Sequence, residues 1–554
     1  MSLYAKQFRT WPVLWLLCWA VPRSLAQLCE AQGWRSFECR ELGSLQELIN
    51  EKAFPTDSWH RLSIRNEHTK LSIGTAEEAQ SLAGLLHLDL SHVQQLQLQR
   101  AGFSMLPQLQ QLNISGCALE QLLSTHFAAN ARLQLLDASH NQLTTLTKDL
   151  FGKLRSLIYA NFTHNALTQL ELPHMPMLQR LQLDHNQLIN VSLGACCPHL
   201  QQLSLNGNQL DQLNAPSFRE LTGLVDLQLG ENALKTIDKD TFQPLRQLRF
   251  LNLSHNELDA LRPQVFGSAM GQLVALQQLD LSGNNIRLLF DNQFRMLGKL
   301  QLLDISHNSI SSLSAGHFAG LQSLRKLYLQ SNDILEIKPE TFAALEDLDT
   351  LDLSHNNLEY LDEKAFGSRA MSRLRKLNLN ANSLKRLHAL AFSSLPFVEY
   401  LSLGNNELLR LDVLMFAPMR HLQKLHLGHN ELTEISSTVL ESLSSVVELL
   451  IDNNKLTFLP DLNGTLVNLK RVAIEGNPWQ CACFMQLERW LLAKHVTYVR
   501  EGTGFYSGEK PLCVVTAVEY CVQTLPKDRH QDVVDEFEER LQSGRSLDGG
   551  SDED

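Results

Sequence analysis

Histidine recurs in this chain at one place, just before a repeated slot that asparagine usually fills: His92, His140, His164, His185, His255, His307, His355 and His429. Imidazoles ligate transition metals and titrate near neutral pH. His140, His164 and His185 fall in three consecutive units. On neighbouring strands about 4.8 Å apart they have the reach to form a metal site or a pH-sensitive patch. A polar position that tolerates histidine is the simpler reading of so regular a Ser-His-Asn pattern, and no metal is assigned. The stretch Gly502-Thr503-Gly504-Phe505-Tyr506-Ser507-Gly508 has the look of a phosphate loop, but it lacks the Gly-Lys-Ser/Thr ending and a preceding strand. No zincin helix and no nucleophile elbow occurs. The sequence thus offers no catalytic residue and no cofactor site, and it points away from an enzyme.

Two further sets concern modification. Asn113, Asn161, Asn190, Asn252 and Asn463 each stand two residues before Ser or Thr, the acceptor pattern for N-linked glycans. Ten cysteines are present, and Cys18 lies within an N-terminal leader. In that leader Lys6 and Arg9 precede an apolar run from Trp11 to Val21, and Ser24-Leu25-Ala26 supplies the small residues of a signal-peptidase site. Cleavage after Ala26 is expected, which sends nine cysteines into an oxidising compartment where disulfides persist. No later segment has the length of apolar sequence that spans a bilayer.

The elements that must position these residues are set by an internal period. The string Leu200 to Leu210, LQQLSLNGNQL, returns as LRFLNLSHNEL from Leu248, LDTLDLSHNNL from Leu348 and LQKLHLGHNEL from Leu422. The asparagine slot falls at 93, 117, 141, 165, 186, 208, 232, 256, 284, 308, 332, 356, 382, 406, 430, 454 and 477, mostly 24 apart. A weaker unit around Leu62 and Ile64 precedes them. Alternating leucines such as Leu251 and Leu253 turn inward from a short strand while the residue between them faces out. The Asn amide can bond backbone groups at the turn that follows. Ten residues after the slot stands Phe103, Phe127, Phe151, Phe218, Phe242, Phe266, Phe294, Phe318, Phe342, Phe366, Phe392 or Phe416, with Met175 and Cys196 in two short units. An aromatic at constant phase opposite the strands is core.

These units are similar to the leucine-rich-repeat consensus. The motif Asn477-Pro478-Trp479-Gln480-Cys481-Ala482-Cys483, followed by Trp490, Cys513 and Cys521, resembles the cysteine-rich C-terminal cap of extracellular members such as Toll receptors, the Nogo receptor and the acid-labile subunit. The resemblance implies pairs Cys481 to Cys513 and Cys483 to Cys521. At the other end only Cys29 and Cys39 are present, where members often carry four cysteines, and these two are paired with each other. Cys117 sits in an asparagine slot and is expected to be a free, buried thiol. Cys196 and Cys197 stay unassigned, with an intermolecular bridge as one outcome.

The expected fold is α/β, a leucine-rich-repeat solenoid in the form of a curved horseshoe, with a parallel sheet on its concave face and disulfide-bonded caps. Its divisions are a signal peptide (1–26), an N-terminal cap (27–58), about 17–18 repeats (59–476), a C-terminal cap (477–525) and an acidic tail (526–554). The tail holds ten of the acidic residues against four basic ones, half of the formal net charge of −12. Val533, Phe537 and Leu541 recur at intervals of four within it, but charge density and the Gly/Ser/Asp ending favour disorder. Nothing has the basic field that nucleic acid requires.

The function expected is that of a secreted binding protein that recognises an extracellular protein ligand or a cell-surface receptor, in signalling, adhesion or immune recognition. The alternative is a structural component of the extracellular matrix. Oligomeric state is not legible. Asn113, Asn161 and Asn252 occupy outward strand positions, so glycans there would crowd the first half of the concave face around Tyr159 and Phe250. The ligand is therefore expected on the second half, between the units of Asn332 and Asn430. Arg325, Lys326, Tyr328, Arg375, Lys376, Tyr400, Lys424 and His426 face outward there, among Asp349, Asp352 and Glu399.

Overall fold

The computed structural model of the chain describes residues 29–50, 59–74, 82, 84–193, 196–239, 241–266, 273–499, 506–507 and 510–548. The expected leader, most of the Gly502 to Gly508 loop and the last six residues lie outside them. The chain divides into two compact units, Met1–Leu251 and Asn252–Asp554.

In the first unit a hairpin opens the fold. Strand Cys29–Gly33 pairs antiparallel with Ser36–Arg40, and a disulfide joins Cys29 to the facing Cys39. Ser36–Arg40 then pairs in parallel with Arg61–Arg65, and one short strand per repeat follows in the same direction, through His87–Asp89, Gln111–Asn113 and Leu135–Asp137 to Asp226–Gln228. The second residue of each of these strands is inward, so Leu62, Leu88, Leu112, Leu136, Ala160, Leu181, Leu203 and Leu227 lie in register and buried. A slip of one residue would turn this apolar row to solvent.

The second unit repeats the device from Gln278–Asp280 through Leu302–Asp304, Lys326–Tyr328, Thr350–Asp352, Lys376–Asn378, Tyr400–Ser402, Lys424–His426 and Glu448–Leu450 to Arg471–Ala473. The cap supplies one more parallel strand, Thr497–Tyr498, which covers the open edge that a sheet otherwise presents.

Two ladders hold the repeats together. Asn308 accepts the Ile286 N–H at 2.9 Å and donates its amide to the carbonyls of Leu281, Ile305 and Ser306 at 3.0, 3.2 and 2.9 Å. One buried side chain thus pairs backbone groups of two repeats. On the opposite side the phenylalanines stack, with ring centroids 5.9 Å apart from Phe318 to Phe342 and again from Phe342 to Phe366. Met175 and Cys196 are buried in the same slot of the short repeats. The segments behind the strands are turns, 3-10 turns and helices of four to six residues, such as Val413–Phe416 and Ser437–Ser442.

The C-terminal cap is built on helix Cys481–Ala493, tied by the disulfides Cys481 to Cys513 and Cys483 to Cys521. Buried Trp479 donates its indole N–H to the Ile474 carbonyl at 2.7 Å, joining cap to last repeat. No helix of the described residues is long and apolar enough to cross a membrane.

Three cysteine and tail assignments are settled here. Cys117 is free and buried, its thiol 3.1 Å from the Leu90 carbonyl. Cys196 and Cys197 are bonded to each other, so neither is left for an intermolecular bridge. The tail, expected to be disordered, forms helix Lys527–Asp548. Its stripe of Val533, Phe537 and Leu541 packs against Val514, Leu512 and Leu525 of the cap, Val534 is buried beside it, and Arg540 donates to the Cys513 carbonyl at 3.2 Å. The acidic side chains Asp532, Asp535, Glu538 and Glu539 occupy its solvated side. Composition weighed the charge, whereas the amphipathic stripe decided the outcome.

Candidate functional site

The outward faces of the second unit's strands form two rows. The first row runs Leu302, Lys326, Thr350, Lys376, Tyr400, Lys424, Glu448, and the second Asp304, Tyr328, Asp352, Asn378, Ser402, His426, Leu450, each in register. Lys376, Tyr400 and Lys424 are therefore direct neighbours. Arg325 and Arg375 stand one residue before the first row. Tyr328 and His426 are not brought together: three strands separate them, which at about 4.8 Å per strand step puts them roughly 19 Å apart.

Several of the expected contacts are already engaged. Arg375 pairs with Glu399 at 3.3 Å, lies over the Phe397 ring at 5.3 Å and donates to the Ser372 carbonyl at 3.1 Å. Lys424 pairs with Glu448 at 3.4 Å, and Arg471 reaches the same carboxylate at 3.0 Å. The Nδ1 of His426 is 3.3 Å from the Ser402 hydroxyl, and its buried Nε2 has no hydrogen-bond partner among the described residues. By contrast, Arg325, Lys326 and Lys376 are free of ion pairs among the described residues.

The surroundings of Tyr328 were missed in the sequence. It lies half-buried between Asp304 and Asp352. Burial, then the two carboxylates, raise its phenol above the ordinary tyrosine value. Burial also lifts the Asp304 carboxyl above the usual carboxylate range, against the hydrogen bonds from Ser306. Asp352 accepts from the Ser354 hydroxyl at 2.6 Å and from the Asn378 amide at 3.0 Å. Aligning the third strand position across repeats would have revealed Asp280, Asp304 and Asp352 as one line.

The sequons divide by environment. Asn113, Asn161 and Asn252 each accept, through Oδ1, the backbone N–H of their own Ser or Thr at 3.0, 3.0 and 2.9 Å, and they sit half-buried in the strand row. Asn190 and Asn463 are exposed.

The rings of His140, His164 and His185 stack with centroids 4.4 Å apart at each step and planes within 20°. Stacked imidazoles aim their lone pairs side by side rather than at one point. Nitrogens that share a tetrahedral ion at ~2.1 Å stand only about 3.4 Å apart. Burial, then the neighbouring imidazoles, hold His164 below the usual histidine value. Among the described residues no group of three His, Cys, Asp or Glu is placed to hold a metal ion.

Comparison with known proteins gives a consistent class. A family model described as leucine rich repeat matches residues 131–188, 198–258, 274–334, 323–370 and 372–432, together half of the chain. The CD180 antigen of Mus musculus is 35% identical over 122 residues, 21% of this chain and 17% of that protein. Reticulon-4 receptor-like 2 of Rattus norvegicus is 38% identical over 93 residues, 17% of this chain and 22% of that protein. Transforming growth factor beta activator LRRC32 of Mus musculus is 37% identical over 87 residues, 16% of this chain and 13% of that protein. The chain thus spans less than a quarter of each relative's length. Among solved structures, an LRR protein of Leptospira interrogans superimposes with a TM-score of 0.57 at 25% identity, over 77% of this chain and 99% of that one. A chain of the Drosophila Toll–Spatzle complex gives a TM-score of 0.62 at 18% identity, over 89% of this chain and 71% of that one, a likeness of fold.

Proposed function

The chain belongs to the leucine-rich-repeat family, and from that premise we propose that it is a secreted extracellular protein that binds a protein ligand or cell-surface receptor, in signalling, adhesion or immune recognition, and that it is not an enzyme. The observation that carries this reading is the outward surface of the second unit. Lys376, Tyr400 and Lys424 stand in register on adjacent strands, with Arg325, Lys326 and Tyr328 two strands away. Tyr400 beside the uncommitted Lys376, and Tyr328 on the strand of the uncommitted Lys326, are of the side-chain type that most often dominates binding energy. Secretion is supported by the four disulfides, which persist in oxidising compartments. The class of ligand, a protein, is in keeping with a relative named as an activator of transforming growth factor beta.

The test is to present the tagged mature chain and a Lys326→Glu, Lys376→Glu variant to extracellular fluid and to cell surfaces. The expected result is a discrete protein retained by the wild type and lost by the variant. Equal retention by both would move the site off this face, and insoluble deposition without a discrete partner would favour a matrix role.

A further inference from the structure

A cavity of about 440 Å³ opens where the start of the tail helix meets the flank of the last repeats. That size is within the range of pockets that hold small organic ligands. Three repeats contribute the same pair of positions to its wall, Leu409–Arg410, Thr433–Glu434 and Thr457–Phe458, and the segment Gln523 to Gln531 closes it. The tail helix therefore makes the cavity, and the repeats alone do not.

The wall has two kinds of surface. Leu409 is 53% exposed, and Phe458 and Leu525 beside it are half-buried, which leaves an apolar strip uncovered. Around it the polar groups are mostly uncommitted. Arg410 and Lys527 are exposed and outside every ion pair of the described residues, while Glu434 is the one carboxylate of the wall. Thr457 is 1% exposed, and its buried hydroxyl has no hydrogen-bond partner among the described residues. The helix begins at Lys527, and the amides of a first helical turn have no carbonyl inside the helix to bond and carry its positive end. His530 is fixed by its Nε2 contact with the Lys455 carbonyl at 3.1 Å, so it serves as a wall.

We propose that this cavity is a binding site for an amphiphilic carboxylate, an aliphatic stem that ends in a single carboxylate. The stem lies on Leu409, Phe458 and Leu525, and the carboxylate is held by Lys527, Arg410 and the first turn of the tail helix. Two cations against one wall carboxylate leave a net charge of one, which suits a monoanion rather than a phosphate dianion. A free fatty acid and the carboxyl terminus of an apolar peptide share this chemistry. The site is independent of the strand face discussed above.

Calorimetric titration of the full chain with octanoate, with N-acetyl-leucyl-leucine and with octan-1-ol tests it. At least one of the two carboxylates is expected to bind, and octan-1-ol at least about tenfold more weakly. Arg410→Glu combined with Lys527→Glu is expected to weaken the carboxylate by about tenfold or more, with an unchanged melting midpoint. Should that variant fail to fold, Leu409→Glu, at an exposed position, is expected to give the same loss. Preference for octanoate or for the peptide identifies the source of the ligand. Silence from both carboxylates, equal binding of the alcohol, or full affinity in the folded variants would overturn the proposal.

Discussion

Phe537 of the tail helix packs into one buried cluster with Val514 of the disulfide cap. A segment that sequence composition assigns to disorder is thereby part of the folded body. Removing residues 526 to 554 should therefore expose Val514 and its neighbours and lower the thermal midpoint, and Phe537→Ala alone should cost about 3 kcal/mol. Urea unfolding of both variants against wild type measures this. A truncated chain as stable as the parent would mean that the helix only rests on the cap.

The asparagine ladder makes a local prediction. Asn308→Ala leaves the buried Ile286 N–H without its partner, at about 1–3 kcal/mol, while the Leu281 carbonyl keeps its bond from the Asn284 amide at 3.0 Å. Amide exchange at Ile286 should accelerate strongly, while amides of the cap helix Cys481–Ala493 keep their protection, since each repeat contacts mainly its neighbours. Uniform loss of protection would show that the unit opens as a whole.

Cys117 gives a pH prediction. Burial pushes its thiol up to about 12 from the ordinary value of 9.0. The folded chain then keeps the proton that the unfolded chain releases. Its contribution to stability is complete below pH ~9 and declines as pH rises from about 9 toward 12. Comparing wild type with Cys117→Ser should show a steeper alkaline decline in wild type, above the share that the raised tyrosines such as Tyr328 contribute to both, and thiol labelling at pH 8 should require denaturant. Rapid labelling of the native protein would refute the burial.

What the sequence made legible is what repeats. The inward leucines, the asparagine slot and the phenylalanine spine each follow a period, so their environment is decided locally and recurs from unit to unit. The C-terminal cap disulfides, Cys481 to Cys513 and Cys483 to Cys521, are those implied by the resemblance of their motif to a known cap. What stayed hidden depends on unrelated segments meeting. The stripe of Val533, Phe537 and Leu541 was visible, but the apolar surface it covers exists only once Leu512, Val514 and Leu525 are assembled. The candidate face shows the same limit. Period-two alternation placed Arg375 and Lys424 outward, yet it gave no hint that Glu399 and Glu448 already engage them. Nor did it show that Tyr328 lies between two aspartates, because register across strands joins residues 24 positions apart.

The most direct test of a ligand site on the second unit's strands is the affinity of the captured partner for Tyr328→Ala and for Tyr400→Ala. Tyr400 stands between Lys376 and Lys424, and Tyr328 between Asp304 and Asp352. Each substitution should weaken binding by more than about 1 kcal/mol while the melting midpoint stays within a degree or so of wild type. Undiminished affinity in both folded variants would contradict the assignment and place the ligand on a flank, on the phenylalanine side or on a cap.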